Sequence, residues 1–292
     1  MTAYAPHAAF VAPARHKAEL WRFMVGLVLT VFAYIMLVQV FVRLVQIVLG
    51  PGFLTAGATG EVLDMYLMLS TFACMSLAVG ITARLLHQRS FASLLGPIGP
   101  LIRDFRAVCV MMVILMGVIF VLPPWDMGAP YLPNMALGTW LTLLLPSLLF
   151  VFVQVSAEEI VFRGYVQQQL AARFRSPLVW MVLPSTLFAL GHYLPDTAGE
   201  NALVIALWSG VFGMLMADLT ARSGSLGPAI AVHFANNVSA IMIISLPDGL
   251  SGLALYVAPF SMQDAAAMQA WLPVDFLMMI VLWLAARLAI RR

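Results

Sequence analysis

The sequence predicts an all-α fold: a polytopic membrane helix bundle with about eight transmembrane helices and both termini on the cytoplasmic side. Three observations lead there. Of the 292 residues 63% are hydrophobic and only 10% are charged, against about a quarter charged in soluble globular domains. The mean hydropathy is +0.98. The apolar stretches follow one another through short links, with no linker rich in Pro, Ser or charge, so 1–292 reads as a single membrane domain. A formal charge of +2 and the lack of any Lys/Arg run point away from nucleic acid and leave the lipid bilayer as the partner that composition demands.

Roughly 20 apolar residues span a bilayer, which places segments at 22–49, 62–86, 107–124, 136–158, 178–194, 201–220, 226–246 and 272–290. Residues 1–20 are Ala/Pro-rich and read as a flexible cytoplasmic N-terminus. The first apolar run is too long for a signal-peptide core and has no small-residue cleavage site, so it is expected to stay as an anchor. Cys74 and Cys109 lie inside apolar segments without metal-ligand spacing and read as core packing. In the fourth segment Pro146 predicts a kink, and the helical pattern runs past Glu158 to about Phe174. Pro184 predicts a second kink in the fifth. In the sixth, Ser209, Gly213 and Ala217 form a small-residue stripe suited to close helix packing.

Orientation follows from the basic residues, which cytoplasmic links retain. Arg15, Lys17 and Arg22, then Arg84, Arg89, Arg103 and Arg106, then Arg173 and Arg175, Arg222, and finally Arg287, Arg291 and Arg292 all fall on one side. The alternate links contain no Lys or Arg and include Asp126, Asp196, Glu200, Asp248 and Asp264. Arg43 is the single misfit, near the outer end of the first segment, where it can snorkel to the interface.

Ionisable groups at membrane depth are costly and usually face a bundle interior or a wet cavity. Here they concentrate in the second half: Glu158, Glu159 and Arg163, then His192, Asp218, His233, Asn236 and Asn237. Glu159 and Arg163 share a helix face at i,i+4, in the order that favours an ion pair. Glu158 is rotated by about 100° from Glu159 and is expected to face elsewhere. Ser176-Pro177 reads as a turn between two helices. Counting from it, Glu158 and His192 reach similar depth, about 20–25 Å away, which requires the hairpin to project into the cytosol. Asp218 reads as a partner for Arg222 or for lipid headgroups.

Two chemistries suit this set. A carboxylate beside an imidazole can deprotonate a water while a second imidazole and an amide stabilise an oxyanion. Alternatively Glu158, His192 and His233 could ligate a divalent metal such as zinc, although no HExxH motif occurs.

The stretches Glu158-Glu159-Ile160-Val161-Phe162-Arg163, Phe188-Ala189-Leu190-Gly191-His192 and His233-Phe234-Ala235-Asn236-Asn237 resemble the EExxxR, FxxxH and HxxxN motifs of the CAAX-prenyl-protease and bacteriocin-processing family of intramembrane proteases. The resemblance covers 136–246, the expected catalytic core. It implies that Glu158 activates water with His192, that His233 and Asn237 stabilise the oxyanion, and that Glu159 and Arg163 support them. It also implies a cavity open to the cytosol and a peptide or protein substrate. Family members have been described both as metal-dependent and as metal-free, and they serve prenyl-protein trimming, peptide maturation, bacteriocin immunity or scaffolding. The expected function is therefore an intramembrane endopeptidase of a bacterial cytoplasmic membrane. The alternatives are a non-catalytic adaptor or immunity protein and, disfavoured by the lack of an internal repeat, a small-solute or proton transporter.

Overall fold

A computed structural model describes residues 3–50, 60–122 and 129–291. Asp126, Arg292 and most of the first outer link lie outside the described residues.

The chain opens with a short helix α1 (His7–Val11) and a 3-10 turn (Ala12–Lys17), followed by α2 (Leu20–Leu49) and α3 (Glu61–His87). A short α4 (Ala92–Leu95) leads into α5 (Ile98–Val121). Helix α6 (Leu137–Glu159) widens into a π-helical stretch (Ile160–Gln167) and continues as α7 (Gln168–Arg173). A second π-helical stretch (Leu178–Val182) opens α8 (Leu183–Gly191), and a single-turn α9 (Pro195–Ala198) precedes α10 (Ala202–Ser223). Helix α11 (Gly227–Asn237) also ends in a π-helical stretch (Val238–Ile243), and α12 (Ala265–Ala289) closes the chain. Among the described residues six helices are long and apolar enough to cross a membrane, and Leu178–Gly191 and Gly227–Ile243 are shorter apolar helices.

Those two depart from the expected spans 178–194 and 226–246. The α8 helix stops at Gly191 with His192 at its C-cap, so the motif histidine sits at a helix end, not inside one. The π-helical stretch after α11 stops at Ile243, where the chain turns extended into strand β2 (Ile244–Ser245). This strand pairs in parallel with β3 (Tyr256–Val257), which pairs antiparallel with β1 (Leu132–Pro133). The small sheet orders the long outer link, and Gly252 packs there against the Glu61 carbonyl, 2.6 Å from where a Cβ would stand.

The N-terminal segment also differs from expectation. Instead of remaining loose it docks on the bundle: Phe10, Val11 and Ala14 are buried, and the His7 ring packs 4.4 Å from that of Trp180. Tyr4 Oη donates to Asp218 at 2.7 Å, and Trp283 Nε1 donates to the same carboxylate at 2.9 Å. Both ends of the described chain therefore lie on one face of the bundle.

Outward, α2 exposes Val28, Ile47 and Val48 at 70–78%, an apolar surface that suits lipid. Inward, its Gly26 admits the Tyr165 hydroxyl, which fills the place a Cβ would take. Tyr165 donates to His87 Nε2 at 2.9 Å, and His87 Nδ1–H donates to the Lys17 carbonyl at 2.9 Å. The stripe of small residues packs α10 on α8: a Cβ on Gly213 would stand 3.0 Å from that of Ser185. Pro184 follows the π-helical turn of its helix, where its missing N–H leaves no α-helical bond to lose.

Candidate active site

Helices α6 and α11 run antiparallel and form a polar ladder through an otherwise apolar interior. On one rung Asn237 Nδ2 donates to Gln154 Oε1 at 2.8 Å. One helical turn along, His233 faces both glutamates, with Nδ1 at 2.8 Å from Glu159 Oε1 and Nε2 at 3.4 Å from Glu158 Oε2. Stepping from 154 to 158 on one helix matches stepping from 237 to 233 on the other, and the i,i+4 spacing on each keeps the rungs on facing stripes.

Glu159 and Arg163 are fully buried and paired at 2.9 Å. Arg163 Nη2 donates to the Gly213 carbonyl at 3.1 Å. Four residues on, Gln167 Nε2 donates to the Ala217 carbonyl at 3.2 Å. The small side chains of the α10 stripe are what let these long polar groups reach its backbone. The guanidinium also lies 5.0 Å over the Phe188 ring, in the range for cation–π attraction.

A carboxylate and a carbonyl only accept, so the Nδ1 of each histidine carries a proton. His233 Nδ1–H donates to Glu159, so the Nε2 edge faces Glu158. His192 Nδ1–H donates to the Phe188 carbonyl at 2.9 Å. The Phe188 ring stands between the two histidines, with centroids 4.4 Å from His192 and 6.2 Å from His233. His192 is only half-buried and occupies the rim. Glu158 is 8% exposed and Glu159 not at all.

Glu158 and His192, expected to act together on a water, make no direct contact in the structure. Among the described residues no hydrogen bond joins them, and the partner of Glu158 is His233. The two carboxylates do diverge along their helix, but the His233 ring sits between them and uses one nitrogen for each. Gln154 and Gln167 also take part, with no charge to mark them in the sequence. Each lies four residues from a motif carboxylate or from Arg163 within an apolar run, and that spacing was the available signal.

The three residues that the zinc alternative needs, Glu158, His192 and His233, are not gathered round one point, because the Phe188 ring stands between the two histidines. Among the described residues no group of three His, Cys, Asp or Glu side chains is placed to hold a metal ion.

A helical membrane bundle with a buried glutamate–histidine–arginine cluster on two facing helices defines a class of intramembrane site. Residues 138–239 match the family described as Rce1-like, type II CAAX prenyl endopeptidases. Through this segment the chain is similar to that family. It is also 24% identical over 258 residues to the uncharacterized protein YyaK of Bacillus subtilis (strain 168), covering 83% of this chain and 84% of that one. No solved structure matches.

Proposed function

We propose that this protein is an intramembrane endopeptidase that uses Glu158 to activate water for hydrolysis of a peptide bond. The observation that supports it most is the asymmetry between the adjacent carboxylates: Glu159 is sealed and occupied by Arg163 and His233, whereas Glu158 is the one with residual exposure. Arg163 balances one negative charge, and the second carboxylate faces an imidazole edge. That edge can hold a proton while Glu158 takes one from water.

In this reading a water lies against Glu158, which removes its proton as the oxygen adds to the scissile carbonyl carbon. The developing oxyanion receives the Asn237 amide N–H that Gln154 does not use. Glu158 then returns the proton to the leaving nitrogen as the C–N bond breaks. Glu159 orients His233, whose Nε2 edge lies 3.4 Å from Glu158 and helps to hold it in place. His192, fixed through its Nδ1–H, presents Nε2 to the substrate at the rim.

The concentration of basic residues on the face that holds both termini supports a cytoplasmic location for that face, with cleavage near it. The Bacillus relative is consistent with a bacterial cytoplasmic membrane. The test compares peptide termini in membrane fractions from cells with the wild-type protein and with Glu158→Gln. A terminus that disappears with the variant is expected. Identical sets of termini would replace this reading with a non-catalytic adaptor.

A further inference from the structure

Away from the polar ladder, Arg89 is 95% buried by its 5% exposure, yet it meets no carboxylate. Its Nε and Nη2 donate to the Ser93 hydroxyl and carbonyl, each at 3.2 Å, and Nη2 also to Gln168 Oε1. Its buried Nη1 has no partner among the described residues. Burial pushes the guanidinium down to about 10, because a desolvated cation lacks an opposing charge. The acidic groups of the same face are engaged elsewhere: Glu19 with Arg22, Asp104 with Arg103, and Asp218 with Arg222.

Arg89 lines one end of a groove of about 580 Å³ on the outer side of α3. Gly80 lets the Phe91 ring lie close against α3: a Cβ there would stand 2.9 Å from the ring. Phe91 forms one wall, and Leu77, Ile81 and Leu85, four residues apart on α3, form the floor. They extend about 12 Å along the helix. The exposed Arg84, which makes no ion pair among the described residues, and the Ser90 hydroxyl complete the polar end. An apolar trough about 12 Å long in a membrane-facing surface, ending in two uncompensated cations, matches an acyl chain joined to an anionic headgroup.

We propose that this groove binds one anionic glycerophospholipid, with an acyl chain along Leu77, Ile81 and Leu85 beside Phe91 and its phosphate against Arg84, Arg89 and the Ser90 hydroxyl. The lipid supplies the negative charge that Arg89 lacks. A zwitterionic lipid is disfavoured because its headgroup adds a cation next to two arginines. The site is separate from the Glu158–His233 cluster, so it stands or falls independently of the peptidase reading.

Native mass spectrometry of the full-length protein, titrated with phosphatidylglycerol, with phosphatidylcholine of the same chains and with free glycerol 3-phosphate, tests it. One phosphatidylglycerol is expected to bind about tenfold tighter than phosphatidylcholine. Arg84→Gln should remove most of that preference. Leu77→Trp, which fills the trough without changing charge, should weaken phosphatidylglycerol binding, and Arg106→Gln on α5 should leave it unchanged. Equal binding of the two lipids would overturn the proposal. So would equal losses with Arg106→Gln and Arg84→Gln, which would mean a diffuse basic belt, or occupancy by glycerol 3-phosphate as tight as by the lipid.

Discussion

Two acid–arginine pairs in this bundle share the same i,i+4 spacing and differ in what surrounds them. Asp218 and Arg222 form a closed cluster at the face holding both termini: Asp218 Oδ1 accepts from Tyr4 and Arg222, and Oδ2 accepts from Arg222 and Trp283. Both carboxylate oxygens are used and the charges balance. Glu159 and Arg163 are more deeply buried, at 0% and 1% side-chain exposure against 7% and 14%. Yet Glu159 Oε2 has no partner among the described residues, and a second carboxylate, Glu158, stands beside the shared His233. The closed pair ties chain ends together, whereas the open one keeps a second carboxylate and an imidazole beside it. Helical spacing identifies an ion pair, and only its remaining neighbours show whether anything is left over to react.

The largest effect should come from breaking the deeper pair. Arg163→Met leaves Glu159 charged, buried and next to Glu158, and should cost about 3–5 kcal/mol of stability, read as unfolding by denaturant in detergent. Adding Glu159→Leu should restore much of that stability while leaving activity lost, because His233 is no longer oriented. If Arg163→Met were as stable as wild type, the cluster would not be desolvated as described.

The closed corner is sensitive to pH through the same docked segment. Burial against Trp180 and Phe10 pushes His7 down to about 4, and Gln167 Nε2 lies 3.4 Å from its Nε2. The docked state therefore holds the neutral ring and takes up fewer protons than the undocked chain. This stabilisation is complete above about pH 6.5 and is lost as pH falls towards 4, up to about 3 kcal/mol. Proteolysis of the N-terminal segment should rise over that window in wild type and stay flat in His7→Phe.

Asp218→Asn keeps its neighbours but removes the charge, and should cost about 1–2 kcal/mol, well below Arg163→Met. A cost equal to that of Arg163→Met would erase the distinction between the pairs. The smallest effect should follow Gln154→Leu, which frees Asn237 to rotate: about a tenfold lower kcat with little change in KM or stability. A change confined to stability would make the upper rung structural.

What could be read in advance follows from the physics of each feature. The bundle and the three motifs were legible because charge is rare in an apolar chain and because i,i+4 spacing fixes a helix face. The pairing of Glu158 with His233 was not, because angle and depth along single helices do not say which way a ring on a third helix turns. Gln154, Gln167 and Gln168 were overlooked as uncharged amides, although Gln168 Nε2 holds the N-terminal segment by donating to the Phe10 carbonyl at 2.5 Å. That segment looked loose because a five-residue helix and a proline-containing turn have no periodic signal, and its order comes from Phe10 and Tyr4 finding partners far along the chain. The π-helical stretches immediately after Glu159 and Asn237 also leave no mark on hydrophobic periodicity.

The most direct measurement is peptide-bond hydrolysis by purified full-length protein in lipid nanodiscs, comparing wild type with Glu158→Gln on a substrate identified from the membrane fraction. The variant is expected to retain its unfolding profile and lose roughly 10²–10⁴-fold in kcat. Hydrolysis by Glu158→Gln at the wild-type rate would contradict the assignment of Glu158 as the base.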